Sequence, residues 1–235
     1  MPNLFVNRLA QLAPLSAAAL RALDGIRVQS IQLGPDQDIV REGERPASCR
    51  ILVDGFACRY KLLAEGKRQI TAFVIPGDLC DLHGFVAGRM DHSVSSLNTC
   101  TVAVVPDGML AELAADHPSI ATALWRHSVI EAAIAREWVA NVGRRSAFQR
   151  LAHLLSEVFT RLNSLGLCSD SGFDWPVTQS ELADATGLST VHCNRVLREL
   201  RIRGLVTWAG SKVTIEDWDG LRRAGEFDPS YLMAA

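Results

Sequence analysis

The spacing of hydrophobic positions changes along the chain, and each spacing predicts a different secondary structure. Up to about residue 25, leucines and alanines recur three and four positions apart, which predicts short helices. From there to about residue 105, short apolar and β-branched runs alternate with turn residues, which predicts strands. The predicted strands are Ile26–Leu33, Cys49–Val53, Ala57–Leu63, Gln69–Val74 and Val102–Val105.

Glycines punctuate these predicted strands at even intervals. They occur at positions 43, 55, 66, 77 and 88, which are eleven or twelve residues apart. Short strands with turns at such regular spacing are typical of a compact all-β roll or barrel. The sequence therefore predicts an N-terminal β-roll that, with the opening helices, spans residues 1–116.

Helical spacing returns in the middle of the chain. We expect a short helix at Asp107–Ala115 and a long one at about Ser119–Val142, in which His127 and Glu131 interrupt the apolar pattern. The long helix exceeds what one face of a small domain can cover, so we expect it to pair with the same helix of a second subunit. Burial within one chain is the alternative. The predicted dimer contacts are Ile120, Leu124, Ile134 and Trp138.

A hinge and an amphipathic helix are predicted next. Gly143–Ser146 interrupts the helical spacing, and Ala147–Leu165 restores it with apolar positions along one face. The stretch after it, Gly166–Asp174, is rich in Ser, Gly and Asp and is predicted to be a loop. This loop leads into the segment that carries the strongest structural signals.

That segment has the sequence of two capped helices joined by a turn. Thr178 and Glu181 have the spacing of a capping box, which starts a helix, and Gly187 ends it. Ser189 is a second N-cap, and the helix after it is predicted at Thr190–Ile202. The positions of this second helix predicted to face inward are Val191, Val196, Leu197 and Leu200.

A hairpin and a local excess of positive charge complete the pattern. Residues 205–208 and 212–215 flank a tight turn and predict a β-hairpin. Helix, turn, helix and hairpin together predict a winged helix-turn-helix, which places its second helix in the major groove of DNA. From Ser189 to Lys212 there are five basic residues and one acid, although the whole chain has a net charge of −2. Since Arg and Asn can read base edges, the predicted DNA contacts are Thr178, Gln179, Ser180, Ser189, Thr190, His192, Asn194, Arg195, Arg198 and Lys212.

Composition excludes several other classes of protein. The chain has 235 residues, of which 48% are hydrophobic and 21% charged, and it has no secretory leader pattern and no uninterrupted apolar run of about 18 residues. We therefore expect two folded units in a cytoplasmic protein that does not bind membranes. The six cysteines occur singly, so reduced and mostly buried thiols are expected, with no metal site.

The order of these parts resembles the Crp/Fnr superfamily of transcription regulators. The resemblance covers nearly the whole chain and is carried by Val53-Asp54-Gly55, by Ile75-Pro76-Gly77-Asp78-Leu79 and, most specifically, by the Thr178–Arg201 motif. It implies an α+β fold with a cyclic-nucleotide-binding-like β-roll, a dimerisation helix at 117–143 and a winged helix-turn-helix domain at 144–235. The implied function is a homodimeric activator or repressor that binds a palindromic operator in double-stranded DNA, with RNA polymerase as a further partner.

The chain departs from this resemblance where cyclic-nucleotide members bind phosphate. Those members carry G-E-L and, further on, R-S or R-T, whereas this chain has Asp81 at the glycine, Leu82 at the glutamate and His92 at the arginine. A carboxylate near a phosphodiester and the loss of the guanidinium both oppose anion binding. Control by cyclic AMP is therefore not expected, and the effector stays open. The degenerate effector pocket is predicted to comprise Asp81, Leu82, His83, His92 and Ser93.

The resemblance also bears on cofactors. Its oxygen- and redox-sensing members hold an iron–sulfur cluster with cysteines near the N-terminus, and no cysteine here precedes Cys49. Its haem-binding members carry ligands near the positions of Cys80 and His83, which leaves haem as an alternative. A lone Cys and His in a β-rich core are usually just packed, so we expect no cofactor.

The recognition helix departs from the best-known members, which have an E-x-x-S/G-R pattern. The matching positions are Val191, Asn194 and Arg195, of which only Arg195 keeps the residue type of those members. Because Val191 occupies the first of these positions, it is also a predicted DNA contact. We expect the operator to keep a guanine at the matching position and to differ beside it.

The residues bear on two other functions. Asp91-His92-Ser93 contains the residue types of a hydrolase triad, but adjacent residues do not converge as a triad requires, so no enzyme is expected. The alternative function is a small-molecule-binding signalling module whose C-terminal domain contacts protein rather than DNA. The basic face of the second helix argues against this alternative and favours DNA binding.

Overall fold

A computed structural model describes residues 3–106, 108–169 and 172–232, without the side chains of His83 and Phe85. Packing divides the described chain into two units. One comprises residues 3–61 and 73–132, and the other comprises residues 62–72 and 133–232.

The chain opens with helices α1 (Asn3–Leu12) and α2 (Ala17–Asp24), as the leucine spacing predicts. Ser16 starts α2 by accepting a hydrogen bond from the Ala19 backbone amide at 3.1 Å. Strands β2 and β6 were not predicted, because they are short and β6 has three serines. The strands of this region are β1 (Gln29–Leu33), β2 (Asp38–Val40), β3 (Ser48–Asp54), β4 (Ala57–Leu62), β5 (Arg68–Val74), β6 (Ser93–Ser96) and β7 (Cys100–Pro106).

These strands form two sheets whose apolar faces share one core. The strand orders are β1-β7-β3 and β2-β6-β4-β5. In the first sheet Gln29 pairs with Val104, and Ile51 pairs with Ala103, both antiparallel. The predicted β-roll is therefore confirmed. Its core includes Ile39, Val40, Leu52, Ala57, Val74, Val94 and Val102.

The evenly spaced glycines lie at turns, as predicted. Those at positions 43, 55, 66, 77 and 88 all have positive φ, between 73° and 94°. Gly55 shows why the residue type is required there, since a Cβ would lie 2.5 Å from the Thr99 carbonyl oxygen in addition to the strain of a φ of +86°.

Helix α3 (Leu82–Ala87) lies between β5 and β6, and helices α4 (Met109–Asp116) and α5 (Pro118–Arg144) follow β7. Helix α3 was not predicted. Helix α5 has 27 residues and continues through Gly143, so the break falls at the later end of the predicted hinge. None of the helices in the described ranges is both long enough and apolar enough to cross a membrane.

The apolar stripe predicted on α5 is mostly buried inside a single chain. Ile120, Ile134 and Trp138 are 0%, 4% and 6% exposed, and Leu124 is half-buried. The prediction that one chain leaves this stripe uncovered is wrong for the three buried residues, because the strongest apolar positions of the helix face its own chain. The large apolar side chains that α5 exposes are Trp125, Val129 and Val139.

The second unit contains the predicted winged helix-turn-helix. Strand order in its sheet is β8-β10-β9. Strand β8, helix α9 and the final 3-10 helix were not predicted; β8 lies in the stretch whose composition indicates a loop. The elements are α6 (Ala147–Ser164), β8 (Gly172–Asp174), α7 (Gln179–Thr186), α8 (Thr190–Ile202), β9 (Val206–Ala209), β10 (Lys212–Ile215), α9 (Trp218–Gly225) and the 3-10 helix Pro229–Leu232.

Candidate nucleic-acid interface

Helix α7 is fixed at both ends. At its start, the Thr178 hydroxyl oxygen accepts from the Glu181 amide at 3.2 Å, and the Glu181 carboxylate accepts from the Thr178 amide at 2.6 Å. At its end, Gly187 adopts a φ of +66°, and Arg150 of α6 donates to the Thr186 carbonyl at 3.0 Å. The predicted capping box and turn are confirmed, and together they set the direction in which α8 departs.

Helix α8 is capped at its start by Ser189, whose hydroxyl oxygen accepts from the His192 amide at 3.3 Å. Its buried positions are Cys193, Val196 and Leu200. Val191 was also predicted to face inward, and this is wrong: its side chain is 81% exposed. Cys193, two residues on and therefore about 200° around the helix, takes the inward position in the first turn.

The outward face of α8 carries two exposed cations. Arg195 and Arg198 are exposed and make no hydrogen bond or ion pair with any residue that the structure describes. By contrast, Arg203, which caps the end of α8, pairs with Glu199 of that helix. Of the local excess of positive charge, Arg195 and Arg198 are therefore free to meet an anion.

The wing is held firmly against the helices. Arg201, near the end of α8, donates to the Trp208 carbonyl of β9 at 3.0 Å. The Trp208 ring stacks on the buried Trp175 ring with centroids 5.4 Å apart. Lys212 is exposed at the start of β10 and has no ion-pair partner among the described residues. The hairpin thus presents a cation from a fixed position.

A cleft of about 540 Å³ lies between the start of α7, the flank of α8 and the wing. Its lining includes Thr178, Gln179, Asn194, Arg198 and Arg201. The start of a helix carries partial positive charge and unpaired backbone amides, which favour an anion such as a phosphate group. The predicted contacts Thr178, Gln179, Ser180 and Ser189 are all exposed, while His192 is half-buried.

The predicted effector-pocket residue Asp81 is part of the β-roll's own structure. Its carboxylate is fully buried and accepts from the Arg50 amide at 2.7 Å and from the Arg50 guanidinium at 2.8 Å. Burial raises the pKa of Asp81, although both Arg50 contacts favour the charged form. Leu82 is buried as well, and the side chain of His83 lies outside the described residues.

The other predicted pocket residues are also engaged within the chain. The Ser93 hydroxyl oxygen accepts from the Glu42 backbone amide at 2.9 Å. His92 Nδ1 lies 2.6 Å from the Asp91 carboxylate. The hydroxyl of Ser93 is thus used in the backbone structure and does not complete a triad with its two neighbours.

A buried ion cluster links β4 to α5. The Arg59 guanidinium donates to the Glu131 carboxylate and to the Leu79 carbonyl, the latter at 2.8 Å. His127 Nε2 lies 3.3 Å from the same carboxylate, and the side chains of Arg59, Glu131 and His127 are at most 11% exposed. Burial lowers the pKa of Arg59, but the carboxylates of Glu131 and Asp78 outweigh it and raise the pKa overall.

Sequence reasoning missed Arg59 as a member of this cluster. The available signal was the interruption of the α5 apolar pattern by His127 and Glu131, which are four residues apart and so lie on one helix face. Their partner could not be read from the sequence because Arg59 lies 72 residues before Glu131.

The cysteines are free, and all but Cys168 are buried. Burial raises the pKa of the Cys80 thiol well above its usual range. Within the described ranges there is no group of three or more His, Cys, Asp or Glu side chains placed to hold a metal ion.

Comparison with known proteins matches both units to known families. Residues 30–117 match the cyclic nucleotide-binding domain, and residues 149–224 match the Crp-like helix-turn-helix domain. The nitrogen fixation regulation protein FixK of Azorhizobium caulinodans is 29% identical over 175 residues, which cover 74% of this chain and 69% of that protein. The regulatory protein HlyX of Actinobacillus pleuropneumoniae is 26% identical over 219 residues, covering 93% and 91%.

A solved structure agrees with these sequence matches. The structure of FixK2 from Bradyrhizobium japonicum superposes with a TM-score of 0.77 at 24% identity, covering 85% of this chain and 98% of that one. That likeness shows a shared fold, whereas the family and its role in DNA binding are shown by the domain matches and the relatives. The chain belongs to the Crp/Fnr superfamily of DNA-binding transcription regulators.

Proposed function

We propose that the protein binds a palindromic operator as a homodimer and regulates transcription without cyclic AMP. The observation that carries this proposal is the pair of exposed cations Arg195 and Arg198 on the outward face of α8, which have no partner among the residues that the structure describes. Each subunit places one α8 in the major groove, with half-sites about 34 Å apart to match a two-fold dimer. The further partner we propose is RNA polymerase.

Arg195 is the proposed reader of a guanine in each half-site. A guanidinium can donate to guanine O6 and N7 together, so Arg195→Ala should cost roughly 1 to 3 kcal/mol per contact. The loss should be largest for the operator that carries this guanine. Lys212→Ala is the matched control, because a phosphate contact attracts DNA without reading a base.

The test begins with selection of binding sites from random DNA. Affinities of both variants are then measured by fluorescence anisotropy on the selected duplex and on a scrambled one. With Arg198 and Lys212 near phosphates in both subunits, the slope of log affinity against log salt should be about −3.6. An affinity that does not change with salt would contradict DNA binding and favour the alternative, a signalling module whose C-terminal domain contacts protein. If Arg195→Ala weakens both duplexes equally, Arg195 is a phosphate contact instead.

The proposed dimer surface is the exposed side of α5. Trp125 and Val129 are 76% and 52% exposed, and Ala132 continues their four- and three-residue spacing. They adjoin an apolar groove of about 460 Å³ between α3, α4 and α5. A second copy of α5 would cover this surface, which replaces the mostly buried stripe expected from the sequence.

Sedimentation equilibrium tests this surface. Trp125→Glu should shift the protein toward the 25.6 kDa monomer, because it places a carboxylate in an apolar interface. Leu63→Glu, at a side chain that is 55% exposed and lies off α5, is the control and should stay dimeric. A Trp125→Glu protein that remains dimeric at micromolar concentration would contradict the assignment.

Independence from cyclic AMP is supported by the internal partners of the residues at the phosphate-binding positions. Asp81 is held by Arg50, and His92 lies against Asp91, so a phosphate would meet carboxylates there. Cyclic AMP should neither raise the melting temperature nor be needed for DNA binding. Micromolar binding by calorimetry would overturn this part. Haem is likewise not proposed, because the Cys80 thiol is fully buried within the apolar core of the β-roll.

A further inference from the structure

Val191 occupies an unusual position for a valine. Its side chain is 81% exposed, more than any other large apolar side chain that the structure describes. It is the second residue of α8, in a first turn ordered by the Ser189 cap. At about 100° per residue, Arg195 lies about 40° and Arg198 about 20° away around the helix axis. Val191 therefore points where the two partnerless cations point.

The chemistry of the major groove limits what a valine can read there. It has no hydrogen-bonding group, so it cannot recognise the donors and acceptors of the base edges. The 5-methyl group of thymine is the apolar group that a base pair presents in this groove. Because the side chain is β-branched, its rotamer is already restricted, and placing it against a methyl group loses little entropy.

We propose that Val191 is a specificity-determining residue that contacts the 5-methyl group of one thymine in each operator half-site, beside the guanine read by Arg195. The proposal rests on the proposed function, since it needs α8 in the major groove. It assigns the apolar residue a role in base recognition. Its exposure means that the residue contributes little to folding.

The test removes one methyl group at a time from the DNA. Each thymine of the selected operator is replaced by deoxyuridine, which keeps the base-pairing edge and lacks only the 5-methyl group. Wild-type protein should lose affinity at one thymine per half-site, by about fourfold each, as expected for one buried methyl group. A 5-methylcytosine·guanine pair at that position should bind more tightly than cytosine·guanine.

Protein variants tie this effect to Val191. In Val191→Ala the deoxyuridine penalty at that position should shrink, while the melting temperature stays unchanged. Ile202→Ala is the matched control: Ile202 is 77% exposed on the same face but lies about 16 Å further along the helix axis. It should keep the wild-type pattern of deoxyuridine penalties.

The outcomes separate this proposal from the proposed function. If the protein binds its operator with the expected salt slope and Arg195 dependence but no thymine shows a methyl effect, the role of Val191 is overturned alone. The same follows if the penalty persists unchanged in Val191→Ala. If no DNA sequence is bound, both proposals are overturned together.

Discussion

Glu131→Gln tests whether the buried ion pair with Arg59 holds α5 against strand β4. The substitution keeps the size of the side chain and removes its charge, so the Arg59 guanidinium stays in place without its closest counter-charge. The two side chains are 11% and 8% exposed. Removing one partner of such a pair leaves an uncompensated buried charge, which costs roughly 3–5 kcal/mol.

Two features of the site place the expected cost at the low end of this range. The Arg59 guanidinium keeps the Leu79 carbonyl as an acceptor at 2.8 Å. The Asp78 carboxylate also continues to stabilise its charge. We therefore expect a loss of about 3 kcal/mol. For a chain of this length, each kcal/mol lowers the melting temperature by roughly 2–4 °C, so the shift should be roughly 6–12 °C.

The assay is thermal unfolding followed by circular dichroism at pH 7. Glu42→Gln is the matched control: it breaks the Lys61–Glu42 pair, whose side chains are 42% and 45% exposed, and should cost less than about 1 kcal/mol. The double variant Arg59→Met with Glu131→Leu replaces both buried charges by apolar side chains and should recover most of the loss. The reasoning is refuted if Glu131→Gln is no less stable than Glu42→Gln, or if the double variant is no more stable than the single one.

Three further predictions concern stability. Burial lowers the pKa of His153 from 6.5 to about 4, so the unfolded chain binds a proton at this histidine first as the pH falls. Between pH 6.5 and 4 the free energy of unfolding of the wild type, measured by urea titration, should fall by roughly 3 kcal/mol relative to that of His153→Phe. Parallel pH profiles of the two proteins would contradict this. Gly55→Ala should cost at least about 3 kcal/mol of stability, against about 1 kcal/mol for Gly66→Ala. Both substitutions place an alanine at a positive φ, but only the one at Gly55 brings a Cβ to 2.5 Å from the Thr99 carbonyl oxygen. Equal melting temperatures of the two variants would exclude this clash. Thr178→Ala should cost about 1 kcal/mol of stability, because it removes the hydroxyl that accepts from the Glu181 amide at the start of α7. An unchanged unfolding midpoint would show that this cap does not stabilise the helix.

Local signals in the sequence predicted those parts of the fold that depend on neighbouring residues. The glycines at 43, 55, 66, 77 and 88 marked turns because each needs a positive φ that other residues rarely adopt. The Thr178 and Ser189 caps marked helix starts because their side chains bond amides three residues away. Such features are encoded within a few residues, so one sequence is enough to find them.

Features that depend on distant residues were missed or misplaced. Val191 was assigned inward because it is apolar, yet Cys193 has the right phase to pack against the rest of the domain. Ile134 and Trp138 were assigned to a dimer because periodicity shows that a face is apolar, not what covers it. Strand β8 exists because β10 pairs with it, with Val213 opposite Phe173, and its own three residues carry no strand signal.

The distribution of paired and unpaired charges links the fold to the proposed function. In the first unit, arginines that enter the interior find carboxylates, as Arg50 does with Asp81 and Arg59 with Glu131. The field of a paired charge is largely cancelled by that of its counter-charge, so these residues neither attract DNA nor leave a cationic site for a phosphate ligand. On α8, Arg195 and Arg198 lack such partners among the described residues and keep their full field. A chain with a net charge of −2 can therefore bind a polyanion, because attraction depends on where positive charge is left unpaired and not on its total.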